Sequence, residues 1–182
     1  MEGPNKLLLP FMDHSVLTTT FMALTESKVS EVILVANEDL DIFYTFLEFN
    51  ETDVLVFNPD YEQGMTTSIQ AGIKVAKGDA YMICLGDMPW LTTDHYNALI
   101  EQYSTSGTSS GFNIVYPNAN ERRGNPVIFP GDFKQALLSH QDMVGCRGII
   151  VNNPNRAKPW YCSEEVYYRD IDTPRDYENR HL

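Results

Sequence analysis

The sequence is short of positive charge, of paired cysteines and of long apolar runs, and each shortage removes a class of function. Thirteen Lys and Arg stand against 25 Asp and Glu, a formal net charge of −12. That field repels polyanions over the Debye length, so no nucleic acid polymer is expected as a partner. A small phosphorylated ligand would need a divalent cation or a locally basic pocket to overcome it. The cysteines, Cys84, Cys146 and Cys162, are three, widely spaced and without a CxxC pair, which argues against a disulfide framework or a zinc site and for reduced, mostly buried thiols. No run approaches the roughly 18 apolar residues of a bilayer span, and the first residues lack the basic and apolar regions of a signal peptide. No membrane association and a cytoplasmic location are therefore expected. His14, His95, His140 and His181 have no metal-ligand spacing, and no Ser, His and Asp set with a nucleophile elbow is visible.

What is present suits one ordinary domain. The 182 residues are 43% hydrophobic and 21% charged, enough for a single core spanning 1–182 without a linker or repeat. "EVILVA" (31–36), "DVLVF" (53–57) and "AYMICLG" (80–86) are near-continuous apolar runs of strand length, the pattern of parallel strands buried on both faces. Between them the periodicity predicts helices over Ser15 to Lys28, Leu40 to Phe49 and Thr66 to Lys77. This βαβ rhythm predicts an α/β, doubly wound sheet. "TTDHYNALIEQY" predicts a further helix capped by Thr92 or Thr93. "FNIVYP" and "PVIFP" predict two strands around a polar loop, and "GDFKQALLSH" and "GCRGIIV" two short helices. "EEVYYRDI" predicts a strand, and "TPRDYENRHL" a last helix with Thr173 as N-cap and Pro174 first.

Ligands of open α/β sheets bind beyond the carboxyl ends of the strands, and four stretches fall there. In "CLGDMPW" the strand runs into Asp87, a carboxylate that could hold Mg²⁺ with phosphate oxygens or merely cap the turn. In "EQGMTTSIQAGI" Gly64 and the hydroxyls of Thr66, Thr67 and Ser68 open a helix, where backbone N–H groups can meet an anion or simply be capped. "NERRGNPVIF" sets two arginines beside a glycine, either for a ligand or as a solvated loop. In "YRDIDTPRDY" alternation puts Asp170 and Asp172 on one side and Ile171 on the other. Should that end approach Asp87, one of the two would give the same metal a second carboxylate.

The stretches "GPNKLLLP", "GMTTSIQAG", "LGDMPWLT", "RRGNPVIF" and "DIDTPRDY", in this order and spread over nearly the whole chain, resemble the MobA-like nucleotidyltransferase family, and within it the molybdenum cofactor cytidylyltransferases. The resemblance implies a three-layer, Rossmann-like nucleotidyltransferase fold with a mostly parallel sheet. It implies an Mg²⁺-dependent transfer of a nucleotide monophosphate, CMP by the "PNKLLLP" stretch, from an NTP to a phosphorylated acceptor such as a molybdopterin-type cofactor, with release of pyrophosphate. By position, Lys6 would contact the triphosphate, Gly64 and Ser68 would lie near the nucleotide, Asp87 would hold Mg²⁺ with Asp172 as second metal ligand, and Arg123, Gly124 and Asn125 would face the acceptor. The chain departs from the pattern in two places. In "HQDMVGCRG", Gln141 replaces a glycine and one residue is extra, which gives Arg147 no assured acceptor role. The apolar first strand and the loop of the type LAAGxSxRMG that precede "PNK" in the family are missing, with Met1 to Gly3 as their remnant.

The first strand of the common doubly wound order is central. Its loss would remove ladder bonds on both sides, roughly 5–10 kcal/mol at about 1 kcal/mol each, against a typical stability of about 5–15 kcal/mol. Either the chain start is placed too late, or a neighbouring subunit or a rearranged sheet fills the gap; a closed, continuous sheet from this chain alone would refute both. The rival to an enzyme is an accessory protein that binds nucleotide or cofactor with little catalysis for want of the triphosphate loop. The sequence leaves a homo-oligomer open.

Overall fold

A computed structural model describes residues 5–37, 40–109, 111–143 and 145–178. The chain enters through a short 3-10 turn, Lys6–Leu8, which the Asn5 side chain caps by accepting from the Leu7 N–H. A small hairpin of β1 (Pro10–Phe11) and β2 (His14–Ser15) leads into α1 (Val16–Thr25), where the Ser15 hydroxyl accepts from the Thr18 N–H. Next come β3 (Ile33–Ala36), α2 (Leu40–Phe46), β4 (Val54–Phe57), α3 (Met65–Val75) and β5 (Ala80–Ile83). This is the expected βαβ rhythm, with each helix slightly shorter than its periodicity predicts. Among the described residues no helix is long and apolar enough to cross a membrane.

After β5 the chain forms α4 (Thr93–Ser104), β6 (Ile114–Ala119), β7 (Arg122–Arg123), β8 (Val127–Pro130), α5 (Lys134–Ser139), α6 (Arg147–Asn152), β9 (Ala157–Tyr161) and α7 (Pro174–Glu178). Thr92 is the N-cap of α4, and its backbone N–H donates to His95 Nδ1, so His95 serves the helix start. Segment "EEVYYRDI" is not a strand. Glu165–Tyr168 winds into a 3-10 turn because Tyr167 and Tyr168 both bury their rings beside Tyr96, which alternation along a strand would forbid.

The strands do not make one continuous sheet. β3 and β4 pair in parallel, while β5, β8 and β6 pair antiparallel in that order, with β7 antiparallel and β9 parallel to β6. Pairing is thus mixed, because the β6–β8 hairpin inserts next to β5. Among the described residues no strand joins β3 to β5. The gap shows in the burial of the apolar runs: Ile33, Leu34 and Val35 of β3, and Ala80, Met82 and Ile83 of β5, are only half-buried. The sequence pattern expects full burial on both faces, and the open edge is what withholds it.

Both strands nevertheless lie between the same two helices. Leu34 and Ala36 meet Leu17 and Phe21 of α1, while Ile33 joins Ile69 and Ile73 of α3. On β5, Met82 packs with Ala23 and Leu24 of α1, and Tyr81 and Ile83 pack with α3. Ile114, Phe129 and Leu137 are fully buried in the core that continues beneath β5, β6 and β8. Cys84, Cys146 and Cys162 are free thiols, and burial pushes Cys84 and Cys146 up to about 12, so both are neutral.

Candidate active site

The carboxyl end of β5 runs on through Leu85 and Gly86 to Asp87. The backbone carbonyl of Asp87 accepts from the Ile171 N–H at 3.0 Å, which ties the two segments together. Ile171 is fully buried against Phe11 and Val16, so its neighbours Asp170 and Asp172 turn the other way. The alternation read in "RDIDT" survives although the segment is not a strand.

Lys6 sits between the two ends. Its Nζ lies 2.7 Å from Asp87 Oδ2 and 2.8 Å from Asp172 Oδ1. The three side chains are 29%, 15% and 65% exposed respectively, so the cluster is shielded on the Asp87 side and open on the Asp172 side. Burial opposes the charge of Lys6, but the hydrogen bonds it donates to Asp172 and Asp87, together with their negative charges, outweigh it and leave the ammonium above its usual pKa. Asp170 is held above the usual carboxylate range by burial first and by the charges of Asp172 and Asp87 next. Three residues separated by 81 and 166 positions in the chain thus form one charged cluster.

Among the described residues no group of three His, Cys, Asp or Glu side chains could hold a metal by itself. The donor set nonetheless fits a hard cation such as Mg²⁺, which binds through one or two carboxylates and takes its remaining ligands from phosphate and water. Asp87 Oδ1 is buried and has no hydrogen-bond partner, an acceptor left open beside two carboxylates. Asp87 and Asp172 are the residues that would hold the ion.

Gly64 and Ser68 belong to the start of α3. Gly64 has φ +108°, and a Cβ there would lie 2.8 Å from the Met143 carbonyl, so glycine is required by the turn and by the crossing chain. Ser68 and Thr67 both accept from Asn58 Nδ2 at 2.9 Å, and the Thr66 hydroxyl donates to the Asp142 carbonyl. The hydroxyls therefore fasten α3 to the end of β4 and to the loop before α6.

Beside this helix start lies a cavity of about 410 Å³ lined by Met65, Leu85, Tyr116, Arg123, Asn125 and Arg147, among others. The Arg123 guanidinium stands over the Tyr116 ring at 5.0 Å, and its buried Nε has no hydrogen-bond partner. Gly124 has a different task. A Cβ there would meet the Tyr167 carbonyl at 2.6 Å, and its N–H donates to the Pro117 carbonyl, so the absence of a side chain lets two backbones cross. Arg147, set aside on sequence because of the altered stretch before it, is exposed and joins Arg123 on the cavity wall. Its signal in the sequence was the arginine after "GC" at the start of α6.

Residues 1–157 match the family model of the MobA-like NTP transferase domain. The molybdenum cofactor cytidylyltransferase of Escherichia coli K12 is 22% identical over 175 residues, covering 96% of this chain and 86% of that protein. The purine catabolism protein PucB of Bacillus subtilis 168 is 27% identical over 186 residues, covering 97% and 87%. Among solved structures, the Mycobacterium tuberculosis protein Rv0371c in complex with manganese superposes with a TM-score of 0.77 at 18% identity, covering 98% of this chain and 92% of that one.

Proposed function

The chain belongs to the MobA-like NTP transferase family, and from that premise we propose that it transfers a nucleotide monophosphate, with CTP as the favoured donor, to a small phosphorylated acceptor of the molybdopterin type. The observation that carries this reading is the Lys6, Asp87 and Asp172 cluster at the carboxyl end of β5, beside a cavity with two arginines.

In this reading an acceptor phosphate oxygen attacks the α-phosphorus of the NTP and pyrophosphate leaves, so the protein's work is alignment and neutralisation of charge. Asp87 and Asp172 would hold a divalent cation through their carboxylate oxygens, and that cation would offset the negative charge of the phosphates. Lys6 neutralises this carboxylate pair in the free protein; released from it, the ammonium is free to meet the triphosphate. The amino end of α3, which begins after Gly64, faces the nucleotide with its positive dipole end, the Gly64 and Thr67 N–H groups being already bonded to the Tyr61 and Gly64 carbonyls. Arg123 and Arg147 present guanidinium groups to the acceptor phosphate, with Asn125 beside them. In a chain of net charge −12 these two outnumber Glu121 on the cavity wall and make it hospitable to an anion.

The hold of Asp87 and Asp172 on Lys6 favours a second reading, a protein that binds nucleotide or cofactor but turns it over slowly because the ammonium stays with the carboxylates. Thermal shifts with CTP, GTP, ATP and UTP, each with and without Mg²⁺, separate the two. The first reading expects a rise in Tm with CTP that needs Mg²⁺, together with pyrophosphate release when acceptor is added. Binding without turnover supports the second reading, and no response to any nucleotide sinks the first.

A further inference from the structure

The cavity beside α3 holds opposite charges that do not meet. Glu121 lines it together with Arg123 and Arg147. Among the described residues Glu121 has no hydrogen bond or ion pair, and neither of these arginines pairs with a carboxylate. Two other arginines do pair: Arg122 lies 3.5 Å from Glu165, and Arg156 lies 3.0 Å from Asp132. Unpaired charges of both signs around one space suit a ligand that answers each of them. The buried Nε of Arg123 adds a donor left open in the same lining.

Glu121 stands there against the preference of its backbone. Asn120 and Glu121 form the two-residue turn between β6 and β7, closed by the pairing of Ala119 with Arg122. Their φ angles are +48° and +65°, the left-handed region that such a turn demands at both positions. Asparagine adopts it readily and glycine is the usual second residue, whereas glutamate is strained there. The turn accounts for the backbone but not for the choice of side chain, and strain of this kind is kept where a residue has a function. Beyond the turn Arg122 bonds the Tyr168 carbonyl, and Arg123 lines the cavity again.

The rest of the lining shapes the ligand. Ile69 of α3, Ile83 of β5, Leu85, Val127 of β8 and Ile150 of α6 present apolar surface. A flat heterocycle has apolar faces for these and a polar edge for a carboxylate, and about 410 Å³ accommodates one ring system with a phosphate. A carboxylate only accepts, and its two oxygens match two neighbouring N–H groups.

We propose that Glu121 determines acceptor specificity: its carboxylate receives two adjacent N–H groups on the edge of a flat nitrogen heterocycle, whose anionic group is held by Arg123 and Arg147. This rests on the transferase reading for the acceptor's phosphate, and narrows that acceptor to a ring with an N–H pair. A sugar phosphate lacks the pair, so its phosphate shares the cavity with an unanswered carboxylate, which selects against it.

The test is a fluorescence titration of the full 182-residue chain, free of nucleotide, with pterin-6-carboxylate and with lumazine-6-carboxylate at a pH below the pKa of either ring. The two probes share ring system and anion; lumazine has a carbonyl where pterin has the amino group that completes the N–H pair. Wild type should bind the pterin at least about tenfold more tightly, because the lumazine carbonyl would face the carboxylate. Glu121→Gln and Glu121→Gly should bring the two probes within about threefold of each other. The glycine variant also relieves the turn, so its Tm should equal or exceed that of wild type. A fall beyond about 4 °C would make Glu121 a structural residue and overturn the proposal. Equal binding of the two probes by wild type, or a preference that both variants retain, would overturn it as well. Displacement of bound pterin by CTP with Mg²⁺ would give the cavity to the nucleotide and end it, and so would the failure of wild type to bind either probe. The response of Tm to CTP and Mg²⁺ is read in separate samples, so the transferase reading stands or falls apart from this one.

Discussion

Replacing Asp87 by Asn separates its metal role from a structural one. The substitution keeps size and an acceptor oxygen but removes the charge that faces Lys6 at 2.7 Å. Lys6 keeps Asp172 at 2.8 Å, so the ammonium is not stranded. The carboxylate of Asp87 also repels Asp170 and helps to hold it above its usual range, so losing that charge returns part of the cost. A pair open to solvent on one side contributes about 1 kcal/mol at most, and about 1 kcal/mol moves the Tm of a chain this size by roughly 2–4 °C. Activity should respond on another scale. Losing a preorganised charge at the reacting phosphates costs at least about 10²-fold in rate. The assay is pyrophosphate release with saturating CTP against Mg²⁺ concentration, beside a melting curve of the same sample. Activity within about threefold of wild type would remove Asp87 from the metal site, and a fall in Tm beyond about 8 °C would make it a structural residue.

Three further changes probe the surroundings. Arg147→Ala should raise the acceptor KM at least about tenfold, as expected for a charge-assisted hydrogen bond, while the Tm stays within about 2 °C because the side chain is exposed; an unchanged KM would exclude it from the acceptor site. Gly124→Ala should lower stability by about 1–3 kcal/mol, because its Cβ would meet the Tyr167 carbonyl at 2.6 Å; a variant as stable as wild type with altered acceptor binding would restore the ligand role. Asp170→Asn should stabilise the protein at pH 7. The folded-state pKa of Asp170 is raised, so the unfolded chain releases its proton first as pH rises from about 3.9, and stability is lost across the window up to the raised value. Urea titrations should show the variant's advantage at neutral pH shrinking as pH falls through that window; an advantage independent of pH would sink the linkage.

Much of the arrangement was legible in the sequence because its causes are local. Apolar runs of strand length and helical periodicity placed β3, β4, β5 and the helices between them, since burial of each run depends on its own side chains. Alternation in "RDIDT" put Asp172 on the side away from Ile171, and that survived even where the strand did not form. The turn at Tyr167 and Tyr168 was not legible, because it follows from a pocket that Tyr96, Leu91 and Met88 build together.

The sequence by itself determined the element types, the acidic field and the kinds of side chain that stand at strand ends. Only the tertiary structure decided which of them meet. Lys6 and Asp172 are 166 residues apart, and their contact depends on β5 and the Ile171 segment being joined at the Asp87 carbonyl. Likewise only the assembled chain shows that Gly124 lets the Tyr167 backbone pass beside it. Arg147 joined the cavity wall through the placement of α6, which the altered stretch before it had obscured. The open slot between β3 and β5 is the same lesson in the backbone. Strand character is written in each run, but which edges find a partner is a property of the assembled sheet.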